Sequence, residues 1–152
     1  MIQRERVKSI MVQIISALII ILFLYTGLNK LLDYDEFKFQ LNRSPFLQSM
    51  SGFLAALLPA GEILIAISLT LRKTRLLGLY LSFFLMAAFT AYIWIMLYYA
   101  YDLPCSCGGI LSAMSWHDHL VFNAFFTVLT IVGVVLQSKL NTSIYIRGKT
   151  AL

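Results

Sequence analysis

Ile10-Met-Val-Gln-Ile-Ile-Ser-Ala-Leu-Ile-Ile-Ile-Leu-Phe-Leu-Tyr-Thr-Gly-Leu-Asn-Lys-Leu-Leu32 carries no charge before Lys30 and is apolar over almost its whole length. A bilayer is crossed by a helix of roughly 20 such residues, so this stretch reads as a membrane span. Three runs of the same kind follow, Phe53–Leu71, Leu76–Tyr99 and Leu120–Gln137. The whole chain is 60% hydrophobic and 12% charged, whereas soluble domains carry roughly 25% charged residues. Four spans within 152 residues leave only short links and no room for a separate soluble domain. The expected fold is therefore all-α, an integral membrane four-helix bundle formed by one domain over residues 1–152, with spans at about 10–32, 53–71, 76–99 and 118–137.

The cations are distributed unevenly about these spans. Arg4, Arg6 and Lys8 precede the first, Arg72, Lys73 and Arg75 lie between the second and third, and Lys139, Arg147 and Lys149 follow the fourth. These make nine of the twelve Lys and Arg residues, leaving Lys30, Lys38 and Arg43 for the opposite side. Positive charge is retained in the cytoplasm, so both termini are expected inside. The net charge of +5 then reads as a topology signal, and no nucleic-acid partner is expected. No small-x-small cleavage pattern follows the first run, which continues Tyr25-Thr-Gly-Leu-Asn-Lys30, so it is expected to act as an uncleaved signal anchor.

With this orientation, residues 33–52 and 100–117 face outward. In a bacterium the protein would be a multi-pass component of the inner (cytoplasmic) membrane, with the second loop on the oxidising periplasmic side, where disulfides persist. The first loop mixes charges with Phe37, Phe39 and Leu41 and is expected to form a short amphipathic interfacial helix. Pro59 removes a backbone hydrogen bond from the second span. Arg72-Lys-Thr-Arg75 is long enough only for an antiparallel hairpin. Trp94, Tyr98, Tyr99 and Tyr101 suit the outer interface. Ser115-Trp-His-Asp118 is a capping box ahead of the fourth span, and the polar, basic tail from Ser138 is expected to fray.

Both cysteines and both histidines of the chain fall between Cys105 and His119. Thiols and imidazoles are the side chains of redox, metal and proton chemistry near neutral pH. Cys105 and Cys107 cannot bond within a helix, where i and i+2 point to different faces. In a strand their Cα atoms would lie ~6.6 Å apart, at the edge of the ~4.4–6.8 Å disulfide range. Pro104 and Gly108-Gly109 favour a turn that shortens this distance. So small a ring would constrain little of the unfolded chain, whereas strained, accessible bridges are the labile ones. A redox-active dithiol/disulfide is thus the first reading. A zinc or copper site built from Cys105, Cys107, His117 and His119 is another, although the spacing matches no zinc-finger pattern and the two imidazoles diverge on a helix.

Within the apolar runs, Glu62 stands ~13 Å into the second span at 1.5 Å per residue. Ionisable groups at such depth usually face a partner or a cavity, and Lys30 is placed to lean toward it, as a structural lock or a proton path. His119 and Asn123, four residues apart, share a helix face, which makes His119 a candidate acid/base below the cysteine loop. Trp116 is a candidate supporting residue or interface anchor. Tyr25, Asn29 and Tyr92 are further candidates to line the bundle.

Gly27-Leu-Asn-Lys30-Leu-Leu-Asp33, Pro59-Ala-Gly-Glu62, Phe89-Thr-Ala-Tyr92, Pro104-Cys-Ser-Cys-Gly-Gly109 and Trp116-x-x-His119-x-x-x-Asn123 together resemble the MauE/DoxX-like redox-associated membrane proteins, over about residues 8–138. The resemblance implies a four-helix bundle comparable to vitamin K epoxide reductase and the DsbB quinone-linked oxidases. It also implies thioredoxin-like partners and a part in protein maturation, as for the methylamine-utilisation members. Those oxidases use two cysteine pairs and a Cys-x-x-Cys, whereas this chain has one Cys-x-Cys pair. A second pair would therefore come from a partner.

The expected function is membrane thiol–disulfide redox chemistry, with Cys105 and Cys107 as the reacting groups and Glu62, Lys30, His119, Asn123 and Trp116 in support. The expected partners are a periplasmic thioredoxin-like protein or a maturing client, the lipid bilayer, and a larger membrane complex. A quinone in the bundle is the candidate cofactor. The alternatives are a non-catalytic membrane subunit that scaffolds an envelope complex, and copper or zinc handling by the Cys/His loop.

Overall fold

The computed structural model describes residues 2–44, 46–99 and 115–150. Every regular element among them is helical: α1 (Ile2–Leu32), α2 (Tyr34–Arg43), a 3-10 turn (Gln48–Met50), α3 (Ser51–Thr70), α4 (Arg75–Tyr99) and α5 (Trp116–Thr150). Among the described residues, four helices are long and apolar enough to cross a membrane, spanning Gln3–Leu32, Gln48–Thr70, Arg75–Tyr99 and Trp116–Ser143. The chain is thus a four-helix membrane bundle. The long helices form a ring in which α1 packs on α3 and α5, and α4 packs on α5 and α3.

Helices in lipid gain little by hiding apolar surface from one another, so close packing and polar contacts hold them together. The side chains directed inward show this. Ser16, Thr26, Ala55, Ala66, Ser82 and Thr130 are buried, while Ile21, Leu28, Leu64, Phe84 and Val121 are exposed on the outer faces. Gly133 marks one close approach, since a Cβ there would lie 3.0 Å from a Leu79 methyl and 3.1 Å from Ile15 Cγ2. Around it, Val12, Ile15, Ile19, Phe23, Ile65, Leu69, Leu79 and Met86 form the main core cluster.

The helix ends are satisfied locally. Residues 71–74 form the tight link between α3 and α4. There Thr74 Oγ1 donates to the Ser68 carbonyl at 2.8 Å and Arg75 Nε to the Leu69 carbonyl at 3.2 Å, occupying acceptors that a helix C-terminus leaves open. Of the capping box expected at α5, the N-cap half forms: the Asp118 amide donates to Ser115 Oγ at 3.2 Å, while the Ser115 hydroxyl donates to Asp118 Oδ2 at 2.6 Å. The first outer loop contains the short amphipathic helix expected of it. In α2, Phe37 and Leu41 turn inward onto Ala55 and Phe39 remains exposed.

The chain departs from its sequence reading at both ends. α1 begins well before the apolar run, and α5 continues through Thr150 where fraying from Ser138 is expected. Leu140 is buried against the main cluster and Gln137 Nε2 donates to Asn141 Oδ1 at 2.8 Å. One apolar anchor and a helical i,i+4 pair are features that a count of polar residues overlooks.

Candidate functional site

Lys30 is in the last turn of α1 and Glu62 is in the second half of α3. Their side chains meet: the Lys30 ammonium donates to Glu62 Oε1, and the two residues are 5% and 0% exposed. The ring of Phe37 from α2 lies 5.6 Å from Lys30 Nζ and the ring of Phe89 from α4 lies 5.2 Å away, both within cation–π reach of ~6 Å. The ammonium is thus enclosed by a carboxylate and two aromatic rings. The second carboxylate oxygen, Glu62 Oε2, is buried with no hydrogen-bond partner among the described residues.

Gly27 makes this approach of α1 to α3 feasible. A Cβ at Gly27 would stand 3.3 Å from Glu62 Oε2, from Ile63 Cγ1 and from the Pro59 carbonyl oxygen. The Gly27–Lys30 and Pro59–Glu62 segments therefore work as facing surfaces: the glycine lets the backbones close, and the charged residues one turn further on meet across the gap.

α5 contributes the remaining polar groups. His119 and Asn123 are 8% and 5% exposed and face the same way, and Asn123 Nδ2 donates to the His119 carbonyl at 3.0 Å. Trp116 stacks on His119 with ring centroids 6.4 Å apart and planes inclined by 24°. Thr127 continues the polar row, donating to the Asn123 carbonyl at 2.8 Å and meeting Thr90 of α4 at 3.0 Å. His117 is exposed, so the two imidazoles lie on different sides of α5.

Two cavities adjoin this cluster. The smaller, of about 30 Å³, is lined by Thr26, Lys30, Glu62, His119 and Asn123 together with apolar side chains that include Phe23 and Met86. It exceeds the ~10–15 Å³ that one water needs, and it offers the polar partners a water requires. The larger, of about 250 Å³, lies among α2, α3, α4 and α5, with walls that include Phe37, Leu41, Leu58, Phe89 and Ile93. Lys30, Phe89, His119 and Asn123 line both. Tyr92, also on the larger wall, ties α4 to the end of α2 through a 2.9 Å hydrogen bond to Ser44 Oγ.

Of the residues expected to form a site, Lys30, Glu62, His119, Asn123 and Trp116 come together around these cavities. Cys105 and Cys107 lie outside the described residues. Gly27, Phe37 and Phe89 enter the site without having been anticipated from the sequence as parts of it. A glycine one turn before Lys30 is the signal for Gly27; Phe89, one aromatic residue among many in an apolar run, carries none, and Phe37 shows only as part of the apolar face of α2.

The family model described as methylamine utilisation protein MauE matches residues 8–136. The chain belongs to the MauE family. The matched stretch takes in all four spanning segments, apart from their outermost residues, together with the Cys105–Cys107 pair and the Lys30–Glu62–His119–Asn123 cluster. This MauE-family protein is accordingly a multi-pass membrane protein whose surroundings are the lipid bilayer. No individual curated protein and no solved structure matches it significantly.

Proposed function

We propose that the chain is a membrane thiol–disulfide redox protein in which Cys105 and Cys107 exchange electrons with a thioredoxin-like partner or a maturing client. One observation carries the reading: Lys30, in the last turn of α1, and His119, in the first turn of α5, extend the buried cluster from Glu62 toward the end of the bundle where α4 stops at Tyr99 and α5 starts at Trp116. The segment joining those two ends contains both thiols. A polar cluster next to the two helix ends that flank the thiol-bearing segment supports a shared role for the two. Membership of a family named for methylamine utilisation supports a role in the maturation of a partner protein.

In the oxidising direction, a client thiolate attacks one sulfur of a Cys105–Cys107 disulfide and forms a mixed disulfide, releasing the other cysteine as thiolate. The client's second thiolate then attacks its own sulfur in the mixed disulfide. The client gains a disulfide, and Cys105 and Cys107 become the dithiol. Two electrons and two protons move in total. His119, supported by Lys30 and Glu62, serves as the acid/base for those protons. The cation-rich segments precede α1, link α3 to α4 and follow the fourth span, a distribution that supports a periplasmic position for the thiols at the inner membrane.

The test is thiol alkylation in intact cells combined with Cys105→Ser and Cys107→Ser. Each single variant should lose exchange, and one of the two should accumulate a mixed disulfide with its partner. Full exchange by both single variants would sink the reading and leave a scaffolding subunit in its place.

A further inference from the structure

The larger cavity is not explained by sulfur chemistry at the membrane surface. Its volume of about 250 Å³ is well above the ~150 Å³ of a dry protein cavity that holds benzene, so it has room for a molecule of about two fused rings. Its walls are largely apolar, but Lys30, His119 and Asn123, which it shares with the smaller cavity, mark one polar side. Glu62 lines the smaller cavity and not the larger one. The charged group presented to the larger space is therefore a hydrogen-bond donor.

Lys30 has three N–H groups. One is given to Glu62 Oε1, and no acceptor takes the others among the described residues, where the rings of Phe37 and Phe89 stand instead. The lysine charge is already balanced by Glu62. A second anion would bring net negative charge into an apolar interior, which is costly. A neutral acceptor avoids that cost, and a flat apolar body suits the aromatic and leucine walls.

We propose that this cavity binds a neutral, lipophilic carbonyl compound, whose carbonyl oxygen accepts a hydrogen bond from the Lys30 ammonium and whose rings pack among Phe37, Leu58 and Phe89. A quinone is one member of this class. Its use as electron acceptor rests on the thiol–disulfide reading above, whereas binding itself needs neither cysteine.

The test uses the full-length protein in detergent micelles with 1-tetralone, a redox-inert two-ring ketone, and tetralin, the same rings without the carbonyl. Affinity is read from the rise in unfolding temperature with ligand concentration. Tetralone should bind at least about tenfold more tightly than tetralin, as expected for a hydrogen bond to a charged donor. That preference should vanish in the Lys30→Met/Glu62→Gln double variant, and Leu58→Trp, which fills the cavity, should abolish binding of both probes. Equal affinity for the two probes, a preference that survives in the double variant, or unchanged binding in a folded Leu58→Trp protein would each overturn the proposal. Should Leu58→Trp fail to fold, the probe preference in the wild type and the double variant still decides. A Cys105→Ser/Cys107→Ser protein should bind tetralone as the wild type does. Thiol exchange retained by that double variant, with tetralone binding intact, would refute the redox reading and leave this one standing.

Discussion

The Lys30 ammonium on α1 donates to Glu62 Oε1 on α3, and both residues are buried within the bundle. This pair joins two helices far apart in sequence and stands beside a main core cluster built from aliphatic and aromatic side chains. A buried ion pair contributes little net stability compared with a well-packed apolar pair, but removing one partner leaves an uncompensated charge. The phenyl rings of α2 and α4 also stand against its ammonium, so four elements meet at the pair.

Replacing either partner alone should therefore be far more damaging than replacing both. Lys30→Met or Glu62→Gln is expected to cost about 3–5 kcal/mol, with most of it recovered in the double variant. Reversible unfolding of the four proteins in micelles measures the coupling. Additive losses would mean that the pair is not the lock described.

Gly27 should tolerate little. Its ideal Cβ position lies 3.3 Å from Glu62 Oε2, Ile63 Cγ1 and the Pro59 carbonyl, so the two further methyl groups of Gly27→Val have nowhere to go unless α1 and α3 separate. Overpacking of this kind costs about 1–3 kcal/mol. Gly27→Ala should fall between wild type and valine. A valine variant with unchanged unfolding temperature would show that α1 and α3 are not closely apposed here.

His119 distinguishes a proton-transfer role from a structural one. Under the proposed function, His119→Gln should slow thiol exchange by about 10²-fold or more, in the range of general acid/base effects, and flatten its pH dependence while the unfolding temperature barely moves. Equal losses of rate and stability would assign His119 to packing alone.

The Tyr92 hydroxyl donates to Ser44 Oγ at 2.9 Å and so fastens the C-terminal end of α2 to α4. Tyr92→Phe should reduce overall stability by only about 1 kcal/mol, with its main effect on α2. Hydrogen exchange resolved by peptide should show faster exchange across residues 34–44 than in the wild type. Unchanged protection there would mean that the core cluster of Phe37, Leu41 and Ala55 holds α2 without the tyrosine.

Several of these relationships were legible before the structure. An acid deep in an apolar run demands a partner, and Lys30 was the nearest cation at that end, so Glu62 and Lys30 identified each other. The i,i+4 spacing of His119 and Asn123 set them on one face, and Ser115 with Asp118 announced the start of α5. The extension of α5 past Ser138 was not legible, because it depends on Leu140 reaching the core cluster. Nor were the contacts of Phe37 and Phe89 with Lys30: nothing in the apolar run of α4 distinguishes Phe89 as the ring that will meet a cation, and the amphipathic pattern of α2 turns Phe37 inward without saying against what.

The sequence by itself determined that four helices have the length and composition to span a membrane, and where charge interrupts them. Crossing a bilayer depends on local length and hydropathy, which a linear chain displays directly. Only the tertiary structure decided which faces meet. In lipid the outward and inward sides of a helix are both apolar, so Leu28, 51% exposed, and its neighbour Gly27, closed against Glu62, carry no contrasting mark of polarity. The two cavities and the rings around Lys30 arise from the packing of side chains drawn from several helices, and no single segment encodes that arrangement.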